Sequence, residues 1–182
     1  MAKDRKIDVV ILGLLSHEDL TGYDIKKRID GAISFFWKGS FGSIYPALNA
    51  MEQAGQISKY EADDSGSRKK ILYHITAKGT KVLKQWLNDE QASNELKYET
   101  LLKLYFGGVE APETTVHNIE IFESNIREEL EVLKMYEKNL KKEKDNKDHK
   151  DHKYFLLTVM FGIETYEAYL RWCEKAKKIL KK

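Results

Sequence analysis

Ser43, Tyr45, Pro46 and Asn49 are residue types that suit contact with the edges and backbone of a duplex, and they are spaced within one short stretch, Phe41–Gly55 (FGSIYPALNAMEQAG). There Ile44, Leu48 and Met51 recur at i, i+4 and i+7, the spacing of a helix with one buried side. A major groove about 12 Å wide admits a single helix if a core holds its back and its N-terminal end shows small or hydrogen-bonding groups. Ser43 can donate or accept, the Tyr45 hydroxyl can reach a phosphate, Pro46 and Ala47 can meet a thymine methyl, and Asn49 can pair with an adenine edge. The stretch has no Arg, so strong guanine readout is not expected from it. Phosphate grip is expected from Lys26, Lys27, Arg28 and Lys38 nearby and from Arg68, Lys69 and Lys70 further along, with specificity leaning on duplex shape.

Other candidate chemistry has plainer readings. His149 and His152, with Asp148 and Asp151, have the i, i+3 spacing of a metal pair, but they sit in a run of alternating charge typical of a solvated segment. Cys173 could sense oxidants, yet it lies on an apolar helical stripe beside Trp172 and reads as a buried, inert thiol. Trp37, Trp86 and Trp172 could line an aromatic pocket, and each also falls at a plausible core position. Glu128-Glu129 and Asp63-Asp64 are surface residues by pattern. No nucleophile–base arrangement, phosphate loop or metal-ligand spacing points to an enzyme, a cofactor or a metal.

The elements that must position the reading stretch can be read from periodicity. Ile7, Val10, Ile11 and Leu14 predict a first helix over about residues 4–16. After the polar break Ser16–Asp19, Thr21 and Asp24 form a capping pattern, and Leu20 and Ile25 a hydrophobic staple, for a helix from Gly22 to Asp30. The aromatic link Ala32–Gly39 reads as packed down, in a short strand. Two strands, Gln56–Glu61 and Arg68–Ile75, flank the turn sequence DDSGS, and Thr76 caps a fourth helix through Trp86 and Leu87. That order is a winged helix-turn-helix. The remainder reads as all helix: Asn94–Phe106, then a long helix opened by Pro112, and a last helix from Tyr154 to Leu180. On the long helix Ile119, Phe122, Ile126, Leu130, Leu133, Tyr136 and Leu140 repeat at steps of three and four, the period of coiled-coil packing. The expected architecture is therefore mainly α, with a winged helix-turn-helix over residues 1–90 and an all-helical dimerisation domain over 91–182.

Charge divides the same way. The 182 residues carry a net charge of only +2, but residues 1–88 hold 14 Lys+Arg against 10 Asp+Glu and the rest 17 against 19, net +4 and −2. A basic first half beside an acidic second half suits a nucleic-acid head and a partner domain. One cysteine excludes an intrachain disulfide, no run of 18 apolar residues exists, and no signal-peptide pattern opens the chain, so a cytoplasmic protein without membrane association is expected.

Gly42–Leu48 with Met51, Glu52 and Gly55, joined after the hairpin by Tyr73, Ile75, Thr76 and Gly79, resembles the PadR family of bacterial winged-helix transcriptional regulators. Leu20-Thr21-Gly22-Tyr23 matches the family's start of the second helix. The resemblance covers residues 5–88, and the helical second half is similar to the longer subfamily whose C-terminal domain builds the dimer. It implies that Tyr23, Ser43, Tyr45 and Pro46 face DNA. It also implies a repressor of a stress or detoxification gene, released by a small aromatic or hydrophobic effector such as a phenolic acid. The family often carries a basic residue where this chain has Asn49-Ala50. The expected form is a homodimer on a palindromic operator of double-stranded DNA. A multidrug-binding regulator with ligand in a dimer cavity, and a winged helix that binds protein rather than DNA, are the alternatives.

Overall fold

The computed structural model describes residues 6–37, 44–62, 70–89, 98–142 and 151–181. The chain divides into two compact units, Met1–Asn94 and Glu95–Lys182. The first contains α1 (Lys6–Leu15), α2 (Gly22–Asp30), a short 3-10 helix (Ile33–Phe35), α3 (Ile44–Gln53), β1 (Ile57–Ala62), β2 (Lys70–Ile75) and α4 (Ala77–Leu87). Its core joins Ile11, Leu12 and Leu15 of α1, Ile25 and Ile29 of α2, Ile44, Leu48 and Met51 of α3, and Leu83 of α4, closed by Leu20, Ile57 and Tyr73. On α1 the buried stripe is rotated from the expected one: Leu12 and Leu15 are inside, while Ile7, Val10 and Leu14 pack at its margin.

Capping chemistry sets the helix limits. Thr21 Oγ1 accepts from Asp24 N at 3.1 Å and donates to Asp24 Oδ2 at 2.6 Å, while Leu20 and Ile25 are both buried as a staple requires. At the end of α3, Gly55 adopts φ +69°, its N–H donating to Glu52 O and that of Gln56 to Met51 O, each at 2.9 Å. These two bonds close a left-handed cap that glycine adopts without a Cβ penalty. Thr76 caps α4, accepting from Gly79 N at 3.1 Å, and Gly79 lies so close to the α3–β1 turn that a Cβ there would stand 2.1 Å from Gln56 O.

The strands pair antiparallel from Ile57↔Ile75 to Ala62↔Lys70. A third piece of backbone joins them: Leu20 and Tyr73 exchange both N–H···O bonds, at 3.2 and 2.9 Å, so the break before α2 extends the sheet. Among its described residues, 32–37, the aromatic link is not a strand. Ile33 O accepts from the N–H of both Phe36 and Trp37, and these local bonds satisfy backbone donors that a lone strand would leave unpaired. Trp86 is 41% exposed rather than in the core, with Lys6 Nζ 5.8 Å from its ring centroid.

The second unit comprises α5 (Glu99–Tyr105), a 3-10 turn (Gly107–Val109), α6 (Pro112–Lys142) and α7 (His152–Leu180). The long helices α6 and α7 pack together, burying Ile119, Ile126, Leu130 and Leu133 of α6 and Tyr166 and Cys173 of α7. Polar groups are set into this seam. Glu123 is buried and accepts from Lys177 of α7 and, at 2.6 Å, from Arg127 of its own helix. Glu129, expected at the surface, is half-buried and accepts from the Tyr166 hydroxyl, which the packing of α7 on α6 brings within reach. Tyr98 and Tyr169 join hydroxyls within an aromatic group that includes Phe122 and Trp172. Burial pushes the Cys173 thiol pKa up, as for an inert thiol. His149 lies outside the described residues, and among those described no His, Cys, Asp and Glu group could hold a metal ion. None of the described helices is long and apolar enough to cross a membrane.

Gly79→Ala should destabilise the first unit by about 1–3 kcal/mol, because rigid backbone must move, and Gly55→Ala by about 1 kcal/mol; urea unfolding compares them. For Glu123, the Lys177 hydrogen bond first, and that of Arg127 after it, hold the carboxyl below its ordinary value of 4.5 against the opposing effect of burial. The folded value is depressed, so its contribution is fully present above the ordinary value and is lost as pH falls through the folded one. The stability gap between wild type and Glu123→Gln should therefore narrow below about pH 4.5 in urea unfolding, and a gap constant down to about pH 3 would contradict the pairing.

Candidate nucleic-acid interface

The N-terminal ends of α2 and α3 meet at Gly22. This residue is buried, and a Cβ on it would stand 2.8 Å from Tyr45 Cε1 and 3.5 Å from Leu48 Cδ1. The absent side chain is what lets the Tyr45 ring lie across the first turn of α2. Tyr45 is nonetheless 57% exposed, and Tyr23, next to Gly22, is 68% exposed. Large aromatic groups left in water at two adjoining helix ends form a candidate contact surface. Lys26 stands near both. Its ammonium is held charged above the ordinary lysine value, first by its hydrogen bond to Asp30 and to a lesser extent by the fields of Tyr23 and Tyr45.

On α3 the helical period separates two sides. Ile44, Leu48 and Met51 are buried as expected, and Pro46 and Asn49 are exposed beside Tyr45. Pro46 occupies the first turn of the described helix, a position where proline is tolerated. Ala47 differs from expectation. It is fully buried and belongs to the core, so it offers no methyl contact to a base. Its position three residues after Ile44 and four before Met51 places it on the buried stripe, a periodicity that excludes it from the reading face. Ser43, Lys38, Arg68 and Lys69 lie outside the described residues.

Three of the cations nearby are paired. Lys26 meets Asp30, Arg28 Nη2 lies 2.6 Å from Glu18 Oε1, and Lys59 Nζ lies 2.8 Å from Glu52 Oε2. Exposed pairs of this kind stabilise a fold by only about 0–1 kcal/mol, so a phosphate can take the cation over at little cost. Lys27 is exposed on α2, and Lys70 is exposed at the start of β2, opposite Ala62.

Asp19, whose sequence context shows only a polar break, meets both strands of the hairpin. Its Oδ2 accepts from the Tyr60 hydroxyl at 2.6 Å and its Oδ1 meets His74 Nδ1 at 2.7 Å. The Tyr60 bond, then the His74 bond, hold its carboxyl pKa below the ordinary value, and the same Tyr60 bond raises that of the tyrosine. A single bridging residue has no alternation to betray it, so only the Tyr and His on facing strands hint at a shared acceptor.

Comparisons with known proteins bear on the family likeness and the fold. Residues 11–85 match the transcriptional regulator PadR-like family, and residues 96–181 match the family described as virulence activator alpha C-term. The chain is 33% identical over 103 residues to the negative transcriptional regulator PadR of Bacillus subtilis (strain 168), over 56% of this chain and 57% of that protein, little more than half its length. The structure of Bacillus subtilis PadR in complex with operator DNA superposes with a TM-score of 0.83 at 24% identity, covering 97% of this chain and 99% of that one. The structure of the same protein with p-coumaric acid gives 0.76 at 26% identity, covering 98% and 100%.

Gly22→Ala should displace the Tyr45 ring while leaving the fold intact. Tyr45 ring resonances should shift in NMR spectra, with far-ultraviolet circular dichroism unchanged. Unshifted Tyr45 resonances would show that the ring does not depend on the close approach at Gly22.

Proposed function

We propose that this chain, whose residues 11–85 match the transcriptional regulator PadR-like family, is a homodimeric repressor that docks α3 of each subunit in the major groove of a palindromic operator. The observation that carries the reading is the exposed Tyr23–Tyr45 pair at the meeting of α2 and α3, with Lys26 beside it and Pro46 and Asn49 on the same exposed side of α3. Tyr45 and Tyr23 would reach phosphates on either side of the groove, Asn49 and Ser43 would meet base edges, and Pro46 would bring the helix end close to them. Arg68, Lys69 and Lys70 of the hairpin would grip the adjoining backbone. The operator DNA bound by Bacillus subtilis PadR supports the partner class. This is a binding function, carried out in the cytoplasm without a metal or cofactor.

The second unit supports the dimer. Leu101, Leu102, Tyr105 and Phe106 of the α5 segment, and Tyr154, Leu157 and Phe161 of α7, are exposed at helical spacing, more apolar surface than a lone soluble unit leaves in water. Buried against a second copy, it would set two α3 helices about one DNA turn, roughly 34 Å, apart. A small aromatic effector would act by favouring a different spacing of the two heads, and the p-coumaric acid bound by Bacillus subtilis PadR supports that ligand class.

The test begins with duplexes recovered by the purified protein from a random pool. A mobility shift lost steeply between low and moderate salt is expected, and no binding at low salt would overturn the reading in favour of a protein-binding winged helix. Tyr45→Ala should weaken the complex about tenfold, the worth of one charge-assisted hydrogen bond, while sedimentation still reports a dimer. Leu157→Glu with Phe161→Glu should dissociate it. Titrated p-coumaric acid should weaken the shift; planar cationic drugs doing so instead would favour the multidrug reading.

A further inference from the structure

We propose that Asp19 is a positioning residue for DNA binding: by joining one strand residue from each side of the hairpin to the start of α2, it fixes the angle at which the wing meets the duplex. The inference rests on the DNA-binding reading above and deepens it.

A two-stranded hairpin is marginal by itself in water and takes its direction from whatever it is fastened to. Several contacts fasten the described strands. Buried Ile57 and Tyr73 join the core, and the Glu52–Lys59 pair ties β1 to α3. The backbone pair Leu20↔Tyr73 adds a bridge from the start of α2 to β2 alone. Asp19 extends that connection to both strands. His74 stands next to Tyr73 on β2, directly across from Asp19, and pairs with Ser58 of β1. Tyr60 lies two residues further along β1 and reaches back diagonally to the same carboxylate. One carboxylate thus holds both strands, each through its own oxygen.

The residues immediately after Asp19 connect this clasp to the reading of DNA. Leu20 enters the core, Thr21 caps α2, Gly22 admits the Tyr45 ring and Tyr23 is presented to solvent. The wing anchor and the reading surface are therefore parts of one five-residue run, and Asp19 transmits the seat of α2 and α3 to the hairpin that carries Lys70. The carboxylate itself is placed against nucleic acid only at an electrostatic cost, which its bonds to His74 and Tyr60 reduce.

The experiment measures binding of a recovered duplex against salt concentration for wild type, Asp19→Ala, Asp19→Asn, Tyr60→Phe and His74→Ala. Asp19→Ala should weaken binding at least about fivefold and lower the slope of log affinity against log salt by about one for each phosphate that the wing no longer reaches. Circular dichroism and dimerisation should be unchanged. Asp19→Asn, which keeps one acceptor oxygen, should recover part of the affinity, and Tyr60→Phe and His74→Ala should each show part of the weakening. A residue that only stabilised the fold would lower the active fraction and leave the slope alone; that result overturns the proposal. A tighter complex in Asp19→Ala, as simple charge repulsion predicts, also overturns it. If Asp19→Ala does not fold, Tyr60→Phe and His74→Ala decide alone: an unchanged slope in both is contrary to the clasp. Failure of the wild type to bind any duplex removes the underlying reading instead, so the two failures are distinguishable.

Discussion

The pairing of Leu20 with Tyr73 is the constraint on which the first unit depends. Two backbone hydrogen bonds there turn a two-stranded hairpin into a sheet with a third edge, and the Leu20 side chain is buried in the helical core at the same point. Everything adjacent inherits its position. Thr21 can begin α2 only where Leu20 ends the bridge, and Gly22 then falls beneath the Tyr45 ring. Tyr73, fixed by the same bonds, is buried near Glu52, Lys59 and Tyr45, so α3 and the sheet share a packing surface. The helices and the described strands are thereby packed together, held by apolar burial on one side and by backbone pairing on the other.

The second unit is organised differently. Its long helices are placed by an apolar seam, and the polar groups in that seam act as register marks. Glu123 between Lys177 and Arg127, and Tyr166 against Glu129, each demand a particular axial alignment of α6 and α7. A buried ion pair adds little net stability because desolvation offsets its attraction, but breaking one partner leaves a charge stranded. Such pairs penalise a slipped register more than they favour the correct one. Burial, and after it the bond to Glu129, moves the Tyr166 hydroxyl well above the ordinary tyrosine range, so it stays a donor at any working pH.

Much of this is legible in the sequence because it depends on local period and local capping. The limits of α2, the Thr76 cap, the Pro112 start and the Ile44–Leu48–Met51 stripe all arise from residues within one or two turns of each other. The errors are of another kind. The size of Ala47 suggests the reading face, although its place on the helix wheel puts it in the core. Phe35, Phe36 and Trp37 suggest a strand by composition, but composition does not supply a neighbouring edge to pair with. Asp19 is illegible because its partners lie 41 and 55 positions away, and nothing local distinguishes a carboxylate that will find them; for Glu123 only Arg127, four residues on, is local, and Lys177 lies 54 positions away. Of the expected site, Tyr23, Tyr45, Pro46 and Asn49 are exposed together with Lys70, whereas Ser43, Arg68 and Lys69 are outside the described residues.

In the proposed function the reading surface lies where two helix ends meet, and the second unit pairs subunits. Central to this division of labour is that Tyr23 and Tyr45 face the duplex. Oxidative footprinting of tyrosines, read by mass spectrometry with and without a recovered duplex, tests that most directly. Strong protection of Tyr23 and Tyr45 on binding, with no change at Tyr105 of α5, is the predicted result; protection confined to the second unit, with Tyr23 and Tyr45 as reactive as in the free protein, would contradict it.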